Sequence, residues 1–459
     1  MEKRGGFLVK SFLIKPNLNE VYPIATHGKG IYLYDDTGKQ YIDGSSGAVT
    51  ACIGHAIPEI IEAMIDQAKN VSFVYRSQFT SDPAEKLALK LNQLVGANED
   101  YWSFFVNSGS EATETALKVA LQYWQEQGKN KKQKILSRWV SYHGITIGAL
   151  SMSGHVSRRE RFVALLEDYP TVPAPYCYQC SLNLTHPSCQ LACAKELETA
   201  ILREGAENIA AFIVEPIVGA AGGVIIPPKG YYQKIREICD NHQILFISDE
   251  VMTGIGRTGK MLGLDHWCVD ADIIALGKGM SAGYAPIAAT LVSDKVMDPI
   301  IKGSNSIMSG HTYSANPQSA AVALAVLEFI ENHSLIDLVK TNGEYMLEKL
   351  KTASKVIEII GEVRGIGLLI GVEFVSNKEK KQSFSKSISI TNSVVKKAKE
   401  KGLLVYPSAA GKEGAYGDAV ILAPPFIIKK HEIDQLIAIF IEAVLDVQNE
   451  LDQLRREEK

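Results

Sequence analysis

Residues 271–280 read Ala-Asp-Ile-Ile-Ala-Leu-Gly-Lys-Gly-Met, a short apolar run that ends in Gly-Lys-Gly. Upstream, residues 244–251 read Ile-Leu-Phe-Ile-Ser-Asp-Glu-Val, a second apolar run that ends at a carboxylate. Apolar runs of this length, bounded by glycine and polar residues, are typical of buried strands. The two stretches therefore predict that Lys278 and Asp249 stand at the ends of buried strands.

Strand-like runs of the same kind recur between helical patterns along the chain. They cover residues 103–106, 135–139, 211–214, 244–248, 273–276 and 287–292. Alternation of strands and helices predicts an α/β fold with a mostly parallel sheet and helices on both of its faces. In such sheets ligands bind beyond the carboxyl ends of the strands.

A third run, residues 103–106, leads into Asn107-Ser108-Gly109-Ser110 and then into a helical pattern. A glycine-containing turn that opens a helix presents free backbone N–H groups, which suits a phosphate. An imine-forming amine, a fixed carboxylate and a phosphate site together are what a pyridoxal 5'-phosphate (PLP) enzyme needs. The constellation therefore favours PLP as the cofactor.

Six motifs in order along the chain carry a resemblance to a known family. They are residues 107–112 (Asn-Ser-Gly-Ser-Glu-Ala), Tyr142-His143-Gly144, Glu215-Pro216, Asp249-Glu250-Val251, Lys278 and Gly310-His311-Thr312-Tyr313. With these motifs the chain resembles the class III (omega) aminotransferases of PLP fold type I, from about residue 30 to residue 427. The resemblance implies a seven-stranded-type sheet in a large domain, a smaller α/β domain, and a homodimer with shared active sites.

The resemblance implies catalytic roles for Lys278 and Asp249. Lys278 would form the internal aldimine and then carry a proton, and burial at a strand end would lower the pKa of its amine as this chemistry needs. Asp249 would pair with the pyridinium nitrogen and keep it protonated, so that the ring accepts electrons.

The remaining cofactor-binding residues also follow from the resemblance. Ser108, Gly109 and Ser110 would hold the phosphate, and Thr312 would reach it from the partner subunit. Tyr142 and Val251 would cover the two faces of the ring, while His143 and Glu215 would lie close to the cofactor. No metal is expected at this site.

Length and composition bound the organisation and the location of the protein. A chain of 459 residues exceeds one hydrophobic core, so we expect an N-terminal segment (1–60) that joins a C-terminal small domain (335–459), and a large PLP-binding domain (61–334). The formal charge of −4 gives no basic surface for nucleic acid or anionic membrane. No signal peptide or long apolar stretch is apparent, which favours a cytoplasmic location.

Two positions depart from related enzymes that bind substrate carboxylates with arginine. The corresponding positions here hold Ile421 and Gly414. A buried carboxylate needs a cationic partner, and Arg76 and Lys412 are candidates. The departures favour a donor whose amine is distant from a carboxylate, an omega-amino acid or amine, with pyruvate or 2-oxoglutarate as the keto acid acceptor.

Other functions stay open at this point. An aminomutase, a decarboxylase or a racemase would use the same cofactor and fold. A PLP-binding regulatory module would need a DNA-binding segment, and no basic helix-turn-helix pattern is present. Gly254-Ile-Gly256-Arg-Thr-Gly259 matches the dinucleotide fingerprint of an NAD-dependent dehydrogenase, but the residues that follow make a poor amphipathic helix.

Four of the seven cysteines lie within 17 residues. They are Cys177, Cys180, Cys189 and Cys193. Their spacing suits either a structural zinc site or four reduced thiols of a cytosolic enzyme. We favour reduced thiols, because the family resemblance implies no metal there.

Overall fold

A computed structural model describes residues 2–4, 7–9, 11–96, 98–412 and 417–457. Its largest sheet has seven strands, as the resemblance implied. In spatial order they are Tyr101–Val106, Ala288–Ser293, Ile273–Leu276, Leu245–Asp249, Ile209–Val214, Lys134–Arg138 and Thr171–Val172. Ala288–Ser293 runs antiparallel to both of its neighbours, and the other six strands share one direction. The predicted α/β class and mostly parallel sheet are confirmed.

The six strands predicted from apolar runs are all present, and their ends differ from the predicted ones by at most two residues. Thr171–Val172 was not predicted, because a two-residue strand leaves no periodic pattern in the sequence. The central strands Ile209–Val214, Leu245–Asp249 and Ile273–Leu276 are buried along their whole length. This matches their nearly continuous apolar sequence, since a sheet covered on both faces has no solvent side.

The N-terminal and C-terminal parts of the chain form smaller sheets. An antiparallel sheet contains, in spatial order, Ile360–Ile366, Leu369–Phe374, Asp418–Leu422 and Tyr406–Ala409. A second contains Leu403–Leu404, Gln40–Asp43, Tyr32–Asp35 and Ala25–Lys29, and a two-stranded sheet pairs Glu2–Arg4 with Phe7–Val9. Because Leu403–Leu404 pairs in parallel with Gln40–Asp43, the N-terminal segment and the C-terminal region share one sheet.

Most of the connections between strands contain helices. The α-helical segments are Ser46–Val49, Pro58–Asn70, Asp82–Val95, Gly109–Glu126, Ile147–Ser151, Val156–Arg159, Ala192–Glu204, Tyr231–Asn241, Asp294–Lys302, Pro317–Asn332, Leu335–Ser354, Ile390–Glu400 and Lys430–Glu457, and the 3₁₀ turns are Val163–Leu165, Ala206–Asn208, Leu264–Trp267 and Lys278–Met280. The terminal helix buries Ile433, Leu436, Phe440 and Val444, the apolar face its sequence pattern indicates. Within the described ranges, no helix is long and apolar enough to cross a membrane.

The glycine motif at 254–259 does not open a helix, and the dehydrogenase interpretation is wrong. The segment forms consecutive turns with positive φ at Gly256 and Gly259. Glu250 organises the turns, because its carboxylate accepts hydrogen bonds from the N–H groups of Gly263 at 2.8 Å and Leu264 at 2.9 Å. A dinucleotide site would instead need these glycines at a helix start.

Candidate active site

Two neighbouring parallel strands deliver an amine and a carboxylate to one edge of the large sheet. Leu245–Asp249 and Ile273–Leu276 pair in parallel, with Asp249 opposite Ala275. Lys278 follows two residues after the second strand, with an unusual φ of +42°. Both side chains line one cavity, whose walls are Gly109, Ser110, Tyr142, His143, Gly144, Glu215, Ala220, Asp249, Val251, Met252, Thr253 and Lys278.

Asp249 is buried and held from two sides. Its Oδ2 lies 2.8 Å from Nδ1 of His143, and its Oδ1 accepts a hydrogen bond from the N–H of Val251 at 3.1 Å. His143 is also buried, and its Nε2 has no hydrogen-bond partner among the described residues. The carboxylate therefore has a fixed orientation, set by a residue that lies 106 positions earlier in the sequence.

Lys278 is half-buried, with the buried carboxylates Asp249 and Glu215 nearby. Burial lowers the pKa of its amine to about 8, although the charges of Asp249 and Glu215 act in the opposite direction. An amine with this pKa is partly neutral near physiological pH, so it can act as a nucleophile and as a proton carrier.

Glu215 is buried in the cavity wall. Its Oε1 accepts a hydrogen bond from the N–H of Tyr142 at 2.8 Å, and its Oε2 accepts one from the N–H of Gly219 at 3.0 Å. Burial raises the pKa of this carboxyl, and the nearby Asp249 charge raises it further. Glu215 thus fixes the backbone at Tyr142, whose ring forms part of the cavity wall.

The helix Gly109–Glu126 points its N-terminus at the cavity. Ser108 caps the helix, because its hydroxyl accepts a hydrogen bond from the N–H of Glu111 at 3.3 Å. The Ser110 hydroxyl accepts one from the N–H of Ile145 at 3.0 Å. The first N–H groups of a helix have no partner within the helix, and they favour an anion.

Two positions in this wall leave no room for a side chain, which explains why both are glycine. A Cβ at Gly109 would lie 2.8 Å from Cγ1 of Val251, and one at Gly144 would lie 2.6 Å from Oγ of Ser110. Gly144 also has a φ of +138°. A larger residue at position 109 would therefore push the helix start away from Val251, and one at position 144 would collide with Ser110.

The residues of the cavity fit PLP. Gly109 and Ser110 offer an anion site, Lys278 offers the amine and Asp249 the carboxylate, and Tyr142 and Val251 provide surfaces for a planar ring. The buried Nε2 of His143, which has no partner in the described part of the chain, is a further polar atom available to a ligand.

Several predicted residues lie elsewhere. Ser108 does not line the cavity, since its side chain caps the helix. Thr312 is exposed and is not part of this chain's own cavity. Arg76 is exposed too, and its guanidinium donates to the carbonyl of Ser309 at 2.5 Å and lies 5.0 Å from the Phe104 ring.

The other positions considered for carboxylate binding give no cation at the cavity. Lys412 is exposed and does not line it. Ile421 is fully buried in the strand Asp418–Leu422. Gly414 lies outside the described residues. Within one chain, neither Arg76 nor Lys412 is therefore placed to anchor a substrate.

The four clustered cysteines line a second, small cavity together with His186. All four are free thiols in the structure. Throughout the described ranges, no group of three or more His, Cys, Asp or Glu side chains is arranged to hold a metal ion. The geometry therefore gives no support to a zinc site here.

Sequence reasoning missed Arg158. Its guanidinium carbon lies 4.4 Å from the centroid of the Tyr142 ring. The surrounding sequence, Ser157-Arg-Arg-Glu-Arg161, reads as an ordinary charged helix surface, so no sequence signal marks this residue. Met252, Thr253 and Ala220 were missed for a similar reason, since each follows a predicted strand end without a distinctive motif.

Comparisons with known proteins agree with this geometry. The model of the class-III aminotransferase family matches residues 14–444. The uncharacterized aminotransferase YodT of Bacillus subtilis (strain 168) is 52% identical over 443 residues, which cover 96% of this chain and 99% of YodT. The chloroplastic gamma aminobutyrate transaminase 3 of Solanum lycopersicum is 35% identical over 445 residues, covering 94% of this chain and 82% of the relative.

Solved structures show the same relationship. A thermostable (S)-enantioselective omega-transaminase from Thermomicrobium roseum superposes with a TM-score of 0.89 at 35% identity, covering 95% of this chain and 96% of that one. The fold and the cavity thus define an α/β enzyme of the transaminase type. The chain belongs to the class-III aminotransferase family.

Proposed function

We propose that this protein is a PLP-dependent transaminase that binds its cofactor covalently through Lys278. The observation that carries the proposal is the single cavity in which the Lys278 amine, the Asp249 carboxylate and the start of the helix Gly109–Glu126 meet. PLP, when bound, supplies an aldehyde for imine formation and a ring that accepts electrons.

Lys278 would hold the cofactor through its amine, and the same amine, when free, would be placed to accept and donate a proton. Asp249, oriented by His143, places a negative charge where a protonated ring nitrogen needs one. Gly109 and Ser110 would bind the phosphate, Val251 and Tyr142 would enclose the ring, and the buried wall around them would exclude water.

We assign the protein to a homodimer in which Thr312 of one subunit completes the phosphate site of the other. Two observations support the assignment. Thr312 is exposed on this chain, and it lies in a segment, Gly310-His311-Thr312-Tyr313, that resembles the family motif.

For the substrates, we propose an omega-amino acid or amine donor and pyruvate or 2-oxoglutarate as acceptor. The names of two similar proteins, a gamma aminobutyrate transaminase and an omega-transaminase, support this choice, because both indicate amines distant from a carboxylate. The buried Ile421 supports it as well, since no cation stands at that position.

A donor panel tests the substrate assignment. PLP-loaded enzyme is incubated with β-alanine, 4-aminobutyrate, 1-aminobutane or aspartate, each with pyruvate or 2-oxoglutarate, and the alanine or glutamate formed is measured. We expect product from the first three donors, and none from the Lys278→Ala variant. Product from aspartate alone would contradict the assignment.

A further inference from the structure

We infer that Arg158 is the anchor for the carboxylate of the substrates, on the Tyr142 side of the cavity. This inference deepens the proposed function and rests on it, since transamination needs a keto acid to enter the cavity. A carboxylate that leaves water requires a cationic partner.

The cavity itself is rich in negative charge. Asp249 and Glu215 are both buried in its wall, and among the described residues that line it Lys278 is the one with a cationic side chain. The Lys278 amine is needed for the reaction as a neutral nucleophile, and burial favours that neutral form by lowering its pKa to about 8. An acidic substrate therefore needs a second cation close to the wall.

The buried arginines near the cavity are already engaged. Arg257 donates to the carbonyls of Leu368 at 3.0 Å and Pro424 at 2.8 Å. Arg138 donates to the carbonyl of Glu215 and to the Tyr232 hydroxyl. The terminal nitrogens of both guanidinium groups thus donate to acceptors of the protein itself.

Arg364 and Arg159 are engaged as well. Arg364 forms ion pairs with Glu362 and Glu373. Arg159 donates to three backbone carbonyls, those of Leu150, Ser151 and Ser153, at 2.7–3.0 Å. Arg364 is thus held by carboxylates of the protein itself, and Arg159 is held by its backbone carbonyls.

Arg158 differs from all of these. It is half-buried, and its guanidinium packs on the ring of Tyr142, a residue of the cavity wall. Among the described residues, no carboxylate lies within ion-pair distance of it. His155, whose ring lies edge-on to Tyr142, supplies no negative charge, and burial lowers the pKa of His155 to about 4. The guanidinium is thus positive, close to the cavity and without a counter-ion.

The charge of Arg158 affects the pKa values of two residues in the cavity wall, Tyr142 and Lys278. Burial raises the pKa of the Tyr142 hydroxyl, and the charge of Arg158 opposes that rise. The same charge adds to burial in lowering the pKa of Lys278. A planar guanidinium fixed against an aromatic ring is also well suited to bind a carboxylate through two parallel hydrogen bonds.

The test separates binding of an acid group from general support of the active site. PLP-loaded wild type, Arg158→Ala, Arg158→Lys and the control Arg161→Ala are titrated with propionate, an unreactive carboxylate, through the absorbance of the bound cofactor. Arg161 is an exposed arginine three residues away. We expect the propionate Kd to rise about tenfold or more in Arg158→Ala, less in Arg158→Lys, and not in the control.

A pair of donors gives the second readout. β-Alanine and 1-aminobutane are similar in length, but only β-alanine carries a carboxylate. In single-turnover half-reactions, Arg158→Ala should raise the apparent Kd of β-alanine by about the same factor as the Kd of propionate. The apparent Kd of 1-aminobutane should stay nearly unchanged. Equal losses for both donors, or an unchanged propionate Kd, would overturn the inference. If the wild type converts neither donor, the donor assignment fails, while the propionate titration still decides the role of Arg158.

Discussion

Nδ1 of His143 lies 2.8 Å from Oδ2 of Asp249, and both side chains are almost fully buried. The pair joins the Tyr142-His143-Gly144 turn to the end of the strand Leu245–Asp249. It fixes the direction of the carboxylate before any ligand binds. Preorganised charge of this kind stabilises a developing positive charge without a cost of reorganisation.

Replacing Asp249 with Asn tests the role of this charge. The amide fits the same space and keeps a polar contact with His143, so we expect the protein to fold and to retain its cofactor. Turnover should fall about 100- to 1000-fold, because an amide cannot hold the ring nitrogen protonated by charge. Steady-state kinetics of the PLP-loaded variant measure the loss. Asp240→Asn, on an exposed helix position, is the control, and near-wild-type turnover in Asp249→Asn would show that the carboxylate has another task.

The lowered pKa of Lys278 predicts how cofactor binding depends on pH. Only the neutral amine attacks an aldehyde, and burial places the pKa of this amine at about 8. In cofactor-free enzyme, the rate of covalent PLP attachment should rise about tenfold per pH unit below pH 8 and level off above it. Rapid-mixing absorbance measurements from pH 6.5 to 9.5 give this rate, with a free lysine derivative as reference for the ionisation of PLP itself. A midpoint near that of the reference would contradict the burial of Lys278.

Arg257 links the turns after Asp249 to distant parts of the chain. Its guanidinium donates to the carbonyls of Leu368 and Pro424 and to the Ser46 hydroxyl. Arg257→Met should lower the free energy of unfolding by about 2–4 kcal/mol, because buried acceptors lose their donor. The midpoint of urea unfolding measures the change, with the exposed Arg203→Met as control. An unchanged midpoint would mean that water replaces the guanidinium without loss.

Much of this architecture is predictable from the sequence, because buried parallel strands leave uninterrupted apolar runs. The runs ending at Asp249 and before Lys278 predict two strand ends, and the structure places these ends side by side. The resemblance to a family added roles for His143 and Glu215, but their partners depend on contacts between residues far apart in the chain. The pairing of His143 with Asp249 is one such contact.

Other features could not be predicted, for physical reasons. Arg158 lies in a charged stretch that would be exposed on most helices, and only the packing against Tyr142 gives it a place near the cavity. The glycines at 254–259 match a nucleotide-binding pattern, yet they serve turns around the buried Glu250. A short motif does not determine whether a helix follows, because that depends on the tertiary contacts of the next residues.

Chemical trapping is the most direct test of whether Lys278 binds the cofactor covalently. PLP-loaded enzyme is reduced with borohydride and digested, and the cofactor-labelled peptide is sequenced by mass spectrometry. We expect one labelled residue, Lys278, and a folded Lys278→Ala variant with no label and no amino transfer. A label on a different lysine, or amino transfer by the Lys278→Ala variant at the wild-type rate, would contradict this expectation.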